Sequence, residues 1–161
     1  MKLLIIGYGR HGKDTVGDLL QEHYGMSSCS SSLFCAEKVV WPFMRSVYDS
    51  AEACYEDRHS GNNREIWHLI IKARNLMPGP MLAEELLETY DIYTGMRDIG
   101  ELERSRHVFD HVLWVDRSLV EPAEGSASMN ITSDHADYVI DNNGNLDALI
   151  ENVHAIATEL K

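Results

Sequence analysis

The sequence predicts an α/β domain built on a mostly parallel central sheet with helices on both faces. Three observations lead there: an almost purely apolar run, LLII, ahead of a glycine cluster; two further short apolar runs, HVLWVD and DYVID, in the second half; and helical stripes between and after them. Strands that alternate with helices build parallel sheets, because a parallel pair needs a crossover long enough to hold a helix. A chain of 161 residues, 44% hydrophobic and 25% charged, suffices for one packed domain and is short for two, so residues 1–161 are expected to share a single core.

The run at residues 2–7 reads as a central strand buried on both faces. After the glycines, Val16, Leu19, Leu20 and Tyr24 fall on one stripe of a helix that Gly25 can end. The serine-rich stretch at residues 27–32 predicts a short second strand and, at Ser31 or Ser32, the N-cap of a helix over residues 33–48. Residues 62–90 read as two helices split at MPGP, since two prolines cannot both sit inside a continuous helix. Ile66, Leu69, Ile70 and Ala73 mark the expected buried face of the first. DIYTGM is a strand candidate, followed by a short charged helix near residues 101–106; HVLWVD and DYVID are strands. A last helix carries Leu149, Ile150, Val153, Ile156, Ala157 and Leu160 on one stripe. Residues 118–134, rich in Ser, Glu, Pro and Gly, form a long loop of the kind that serves as a lid.

Fourteen Lys and Arg against 26 Asp and Glu give a formal charge of −12, which opposes the nucleic-acid backbone and anionic membranes and favours small ligands. A phosphate site here has to be a local island of Arg and Lys. Cys29, Cys35 and Cys54 form no C-x-x-C and cannot all pair, which fits a reducing compartment, and the start MKLLIIGYG is too short for a signal core or a membrane span. A cytoplasmic location is expected, the host's cytoplasm were the source viral. A homodimer is left open.

Residues 7–15, GYGRHGKDT, admit two parses. Gly7, Gly9 and Gly12 spell the dinucleotide pattern G-x-G-x-x-G; Gly7, Gly12 and Lys13 spell the phosphate loop G-x-x-x-x-G-K. A dinucleotide fold needs an acid at the end of its second strand to hold the ribose, and that position reads SSSL, with Glu37 the first acid thereafter. The phosphate-loop parse employs Lys13 as a cation at a helix start where the dipole already favours anions. Gly9 is then incidental to the motif. Asp14 replaces the usual hydroxyl residue, with Thr15 next; its carboxylate suits Mg²⁺ as a hard oxygen ligand, and equally suits the positive first turn of a helix.

GxxxxGKDT resembles the bacteriophage deoxynucleoside monophosphate kinases and, more distantly, phosphomevalonate kinases, which also carry Gly-Lys-Asp. TGMRDIGELE looks like the third-strand segment of that group, and ADYVIDNNGNLDALIENV is similar to its last strand and helix and to those of dephospho-coenzyme A kinases. The resemblance implies a P-loop kinase fold and an enzyme that moves the terminal phosphoryl of ATP, with Mg²⁺, onto a nucleoside or deoxynucleoside monophosphate. ATP would contact Gly7, Gly9, Arg10, His11, Gly12, Lys13, Asp14, Thr15 and the Asn143 turn, with the metal on Asp14. Arg97 and Arg64 would hold the acceptor phosphate; Ser31, Ser32 and Phe34 would touch the acceptor; Lys13, Arg97 and Arg117 would act in transfer, Arg117 at the foot of a lid over 118–134.

Each of these has a plainer alternative. A surface Arg is usually solvated, the serines can simply cap, His11 can shape the turn, and Asn-Asn-Gly suits any tight turn. Arg104 and Arg106 read as an exposed helix face, and Trp41, Trp67 and Trp114 as packing. A kinase with another acceptor, such as a hydroxymethylated pyrimidine in phage DNA or a small metabolite, is the nearest rival. A nucleotide-binding regulator without turnover is the other, kept open by Asp14 and by the lack of an evident acid ending the TGM strand.

Overall fold

The computed structural model describes residues 1–123, 125 and 129–160. LLII forms β1 (Leu3–Ile6), and all four side chains are buried because the strand is flanked on both edges and covered on both faces. β1 pairs in parallel with β2 (Ile92–Thr94) on one side and β3 (His111–Asp116) on the other; β3 pairs in parallel with β4 (Tyr138–Asp141). The sheet order is β2-β1-β3-β4.

Alternation along the strands sorts the core into two layers. Leu3 and Ile5 join Val16, Leu19 and Leu20 of α1 (Lys13–Tyr24) and Leu149, Val153 and Ala157 of α8 (Leu146–Glu159) on one face. Leu4 and Ile6 point the other way, to Ala83 and Leu86 of α6 (Leu82–Leu87), Leu102 of α7 (Ile99–Ser105) and Ile131. A smaller third cluster, Ala36, Val40, Ala51, Cys54 and Trp67, is satellite to the expected single core. It joins α4 (Ala51–Glu56) and α5 (Asn63–Leu76) to a helical run made of α2 (Ser31–Cys35), a π-helical turn (Ala36–Val40) and α3 (Trp41–Phe43).

Several expectations need correction. Residues 27–32 make no strand; Ser28 forms one isolated parallel bridge to Ile92, on the outer edge of β2. The N-cap is Ser30, whose hydroxyl accepts the Leu33 amide, and the run ends at Phe43 rather than near 48. On α5 the buried residues are Trp67 and Asn75, whereas Ile66 and Leu69 are exposed, because α5 packs on helices rather than on the sheet. Tyr24 is also exposed, its hydroxyl meeting His154 Nδ1 at 2.6 Å. Gly25, in the left-handed region at φ 68°, ends α1 as expected. No helix among the described residues is long and apolar enough to cross a membrane.

Candidate active site

The loop between β1 and α1 sits at the carboxyl ends of the parallel strands, where ligands of open α/β sheets bind. Its shape rests on Gly7 at φ 149°, Arg10 at 63° and Gly12 at 91°. A Cβ on Gly7 would stand 2.6 Å from the Val115 carbonyl oxygen, and one on Gly12 would collide with the Asn142 amide. Successive turns of this kind aim backbone N–H groups into one concavity, the geometry that cradles phosphate. Lys13 opens α1 and donates from Nζ to the Tyr8 carbonyl at 2.7 Å, so the ammonium is folded over the loop.

Two cavities flank this loop. One, of about 270 Å³, is lined on the loop side by Gly9, Lys13 and Asp14, and continues between α5, α7 and the end of β2. Arg58, Arg64, Arg97 and Arg104 all reach it, as does Lys72. Here is the cationic island that a chain of charge −12 needed. Burial, then Arg58, Arg64 and Arg97 in turn, lower the pKa of His59, so these guanidiniums act on one point. Asp98 faces the same space; burial opposes its charge, but the Glu101 amide and Lys72 hold its carboxyl below the usual range. The second cavity, of about 500 Å³, lies across the loop, lined by Arg10, Gly12, Thr15, Arg117, Asn142 and the turn from Gly144 to Leu146.

No protein-family model and no curated protein matches the chain. Solved structures do: shikimate kinase from Bacteroides thetaiotaomicron matches at TM-score 0.52 and 10% identity, over 99% of this chain and 98% of that one. A Thermus thermophilus protein designated TT1252 matches at 0.53 and 14%, over 100% and 98%. The chain has the P-loop kinase fold. At these identities the likeness speaks for the fold alone.

Within that P-loop kinase fold, the anticipated residues fall into three groups. Lys13, Asp14, Gly9, Ser31, Ser32, Arg64 and Arg97 line the first cavity, and Arg10, Gly12, Thr15 and Arg117 line the second. Gly7, His11 and Asn143 hold the frame. His11 is fully buried: Nδ1 accepts the Arg117 amide at 3.0 Å, which leaves the proton on Nε2, 3.0 Å from the Glu121 carbonyl. Its ring shapes the loop rather than facing either cavity, and its own carbonyl accepts from Asn142 Nδ2 at 2.9 Å. Asn143 ties Asp116, Asp141 and the Leu119 amide together, leaving the second cavity to Asn142. Phe34 packs against the core below the sheet, with the Lys38 ammonium 5.6 Å from its ring centre, and lines neither cavity.

Other residues were missed. Arg104 is exposed, as read, but also borders the first cavity, while Arg106 is half-buried and pairs with Asp137. Trp67 is core and cavity wall at once. Asp98 supplies an acid four residues past Thr94, in a position that reads from sequence as a helix cap, which it also is. Beneath the arginines lies a buried polar floor of Cys35, Asn75, Tyr93 and Glu101, invisible to a motif search. Burial, then the nearby Asp98, pushes Glu101 up to about 7, and burial pushes the Cys35 thiol up to about 12 and Tyr93 well above its usual value.

The proposed lid falls partly outside the described residues. Of the remainder, a turn at 118–120 leaves Leu119 exposed, and the far end is pinned: the Asn130 amide donates to the Arg97 carbonyl at 3.2 Å, and its side chain accepts the Ile99 amide at 2.7 Å. Among the described residues no three His, Cys, Asp or Glu side chains converge as a metal site. Asp14 nevertheless fits Mg²⁺: its carboxylate makes no hydrogen bond or ion pair to any described residue and borders the cavity beside Lys13. Such ions are commonly held by one or two carboxylates plus substrate phosphates.

Proposed function

We propose that the chain is a single-domain ATP-dependent phosphotransferase acting on a nucleoside or deoxynucleoside monophosphate. What carries the reading is the pair of cavities meeting at one phosphate loop, the first of them holding four arginines in an otherwise acidic protein. The donor nucleotide occupies the second cavity, with Arg10 and Arg117 beside it and the 144–146 turn against its base. The acceptor occupies the first, its phosphate held by Arg97 and Arg64.

The terminal phosphoryl then passes in line to an acceptor phosphate oxygen; that P–O bond forms as the bond to the bridging oxygen of ADP breaks. The acceptor is already anionic, so the step needs electrostatic stabilisation rather than a strong base. Lys13 and the loop amides neutralise the transferring group, and Arg97 steadies the attacking one. Mg²⁺ on Asp14, assisted by Thr15, would supply charge neutralisation between the two.

A second reading, a small polyol or other metabolite as acceptor, draws on the name of the shikimate kinase neighbour and on the modest size of the first cavity. Purified protein with ATP and Mg²⁺, offered each ribo- and deoxynucleoside monophosphate, shikimate and a hydroxymethylated DNA duplex, decides between them. Nucleoside diphosphate formation supports the proposal. Phosphorylation of the polyol or the duplex alone replaces the acceptor, and nucleotide binding without any turnover removes the enzyme reading.

A further inference from the structure

Arg58 and Arg64 reach the first cavity from the connection between α4 and α5, Arg58 on a 3₁₀ turn (Asp57–His59) and Arg64 at the second residue of α5. They stand six positions apart in the run DRHSGNNR, so the shape of one short loop decides whether both guanidiniums meet in one place. That run has no apolar side chain to anchor it, and Gly61 turns it through the left-handed region at φ 52°. Polar contacts have to hold it instead.

Those contacts converge on Asp57. The Tyr48 hydroxyl donates to Asp57 Oδ2 at 2.6 Å, and Asn63 Nδ2 lies 3.0 Å from the same oxygen, 2.9 Å from the Asp57 carbonyl and 2.9 Å from the Tyr48 hydroxyl oxygen. The Ser60 amide donates to the Asp57 carbonyl at 3.0 Å, and the Asn63 amide to the Ser60 carbonyl at 3.0 Å. Hydrogen bonds from Ser60 and Tyr48, which outweigh the cost of burial, and one from Asn63 hold the Asp57 carboxyl below its usual range, so it is ionised at neutral pH. Bonds to an ionised acceptor are the stronger kind. Tyr48 is fastened in turn: its carbonyl accepts the Trp41 indole N–H at 3.0 Å, and it packs on the satellite cluster. Asp57, Tyr48 and Asn63 line neither cavity.

We infer that Asp57, clamped by Tyr48 and Asn63, is a positioning residue for the first cavity: it fixes where Arg58 and Arg64 present their guanidiniums to the acceptor's phosphate. This rests on the reading of that cavity as the acceptor site. Asp57 immediately precedes Arg58 and Asn63 immediately precedes Arg64, so the bonds between residues 57 and 63 set the separation of the two arginines from behind. Arg58 is also held on its own account, since Nη1 donates to the Tyr55 carbonyl at 2.7 Å and the guanidinium lies 3.8 Å over the Tyr55 ring. Ordering flexible side chains and loops is part of what binding costs, and a site already set in place loses less of it. A carboxylate thus serves anion binding without touching the anion. Its effect falls on the phosphate and is the same whatever base the acceptor carries.

The test pairs calorimetric binding of AMP, GMP, CMP and dTMP, and separately of ATP with Mg²⁺, with titration of the His59 ring by NMR. Burial and then Arg58, Arg64 and Arg97 lower the pKa of His59, so that ring reports where the guanidiniums stand whatever the acceptor is. Asp57→Ala should weaken all four monophosphates by about 10-fold and ATP by under ~2-fold, and should move His59 back up toward the ordinary imidazole range. Asp57→Asn, whose Oδ1 can still accept from Tyr48 and Asn63, should stay within ~3-fold of the unaltered protein. Tyr48→Phe removes one bond of the clamp and should give the same pattern at roughly 3-fold, which keeps the test open if Asp57→Ala fails to fold. Unchanged monophosphate binding and an unchanged His59 in a folded Asp57→Ala protein overturn the inference, as does an equal loss for ATP. Should no monophosphate bind the unaltered protein, the acceptor reading falls and the His59 shift alone decides whether Asp57 sets the arginines. Phosphoryl transfer to a monophosphate whose affinity Asp57→Ala leaves untouched does the reverse, keeping the kinase reading and sinking this one.

Discussion

Glu101 should make this protein lose stability as the pH rises through neutrality, and Glu101→Gln should remove that loss. The carboxyl is buried, and burial together with Asp98 raises it from an ordinary 4.5 to about 7 in the folded chain. Between those values the folded state binds more protons than the unfolded one, so stability falls with pH. The favourable contribution is complete below 4.5 and is gone once the pH passes through about 7. The full swing is about 3 kcal/mol, and between pH 5 and pH 8 the linkage relation leaves about 2.5 kcal/mol of it. Gln copies the shape of the neutral acid and does not titrate. Urea unfolding of both proteins across pH 5 to 8 is the assay, read as the difference between them so that every other titrating group cancels. The curves should nearly meet at pH 5, with the variant the more stable by about 2.5 kcal/mol at pH 8. A difference that stays constant with pH, or shrinks as it rises, refutes the reasoning.

Lys13→Met should lower the phosphoryl-transfer rate by at least ~100-fold, measured as diphosphate release, since it removes the cation from the developing charge. Gly12→Ala should destabilise by roughly 3 kcal/mol in denaturant unfolding, about half from placing Ala at φ 91° and the rest from displacing the Asn142 amide from the His11 carbonyl. Asp91, held down to about 2 by the Ser27 amide and hydroxyl and by Lys2, contributes stability that is present above 3.8 and lost as the pH falls through 2. Asp91→Asn should therefore lower Tm at pH 7 and should converge with the unaltered protein in strong acid.

Much of the frame was legible because it depends on local pattern. HVLWVD is β3 to the residue, MPGP separates α5 from α6, and the stripe on the last helix buries Leu149, Val153, Ala157 and Leu160. The turn from β1 into α1 at Lys13 was legible because its glycines and the helix start fall within nine consecutive residues. What failed depends on which neighbour an element meets. Ile66 and Leu69 look like a core stripe until α5 packs by Trp67 and Asn75 instead. Arg104 reads as a solvated helix residue and is exposed, yet only the meeting of α7 with α5 shows that it also edges a cavity. Asn75 and Glu101, 26 residues apart in number, have no signature in common; only the meeting of α5 and α7 puts an amide beside a carboxyl.

The place of β1 in the sheet also bears on how the chain must be made. Both partners of its four residues lie far downstream of them, at Ile92–Thr94 and from His111 onward. Contacts that span so much sequence form slowly, since a long loop must close before any pairing rewards it. Until Ile92–Thr94 has been made, LLII has no native partner on either edge and stays an unpaired, uncharged β-former, and until His111 and its successors follow it is paired on one edge only. The strand that leads into the glycine loop thus waits for partners distant on both edges, and a slow refolding phase in the test tube would report first on residues 3–6.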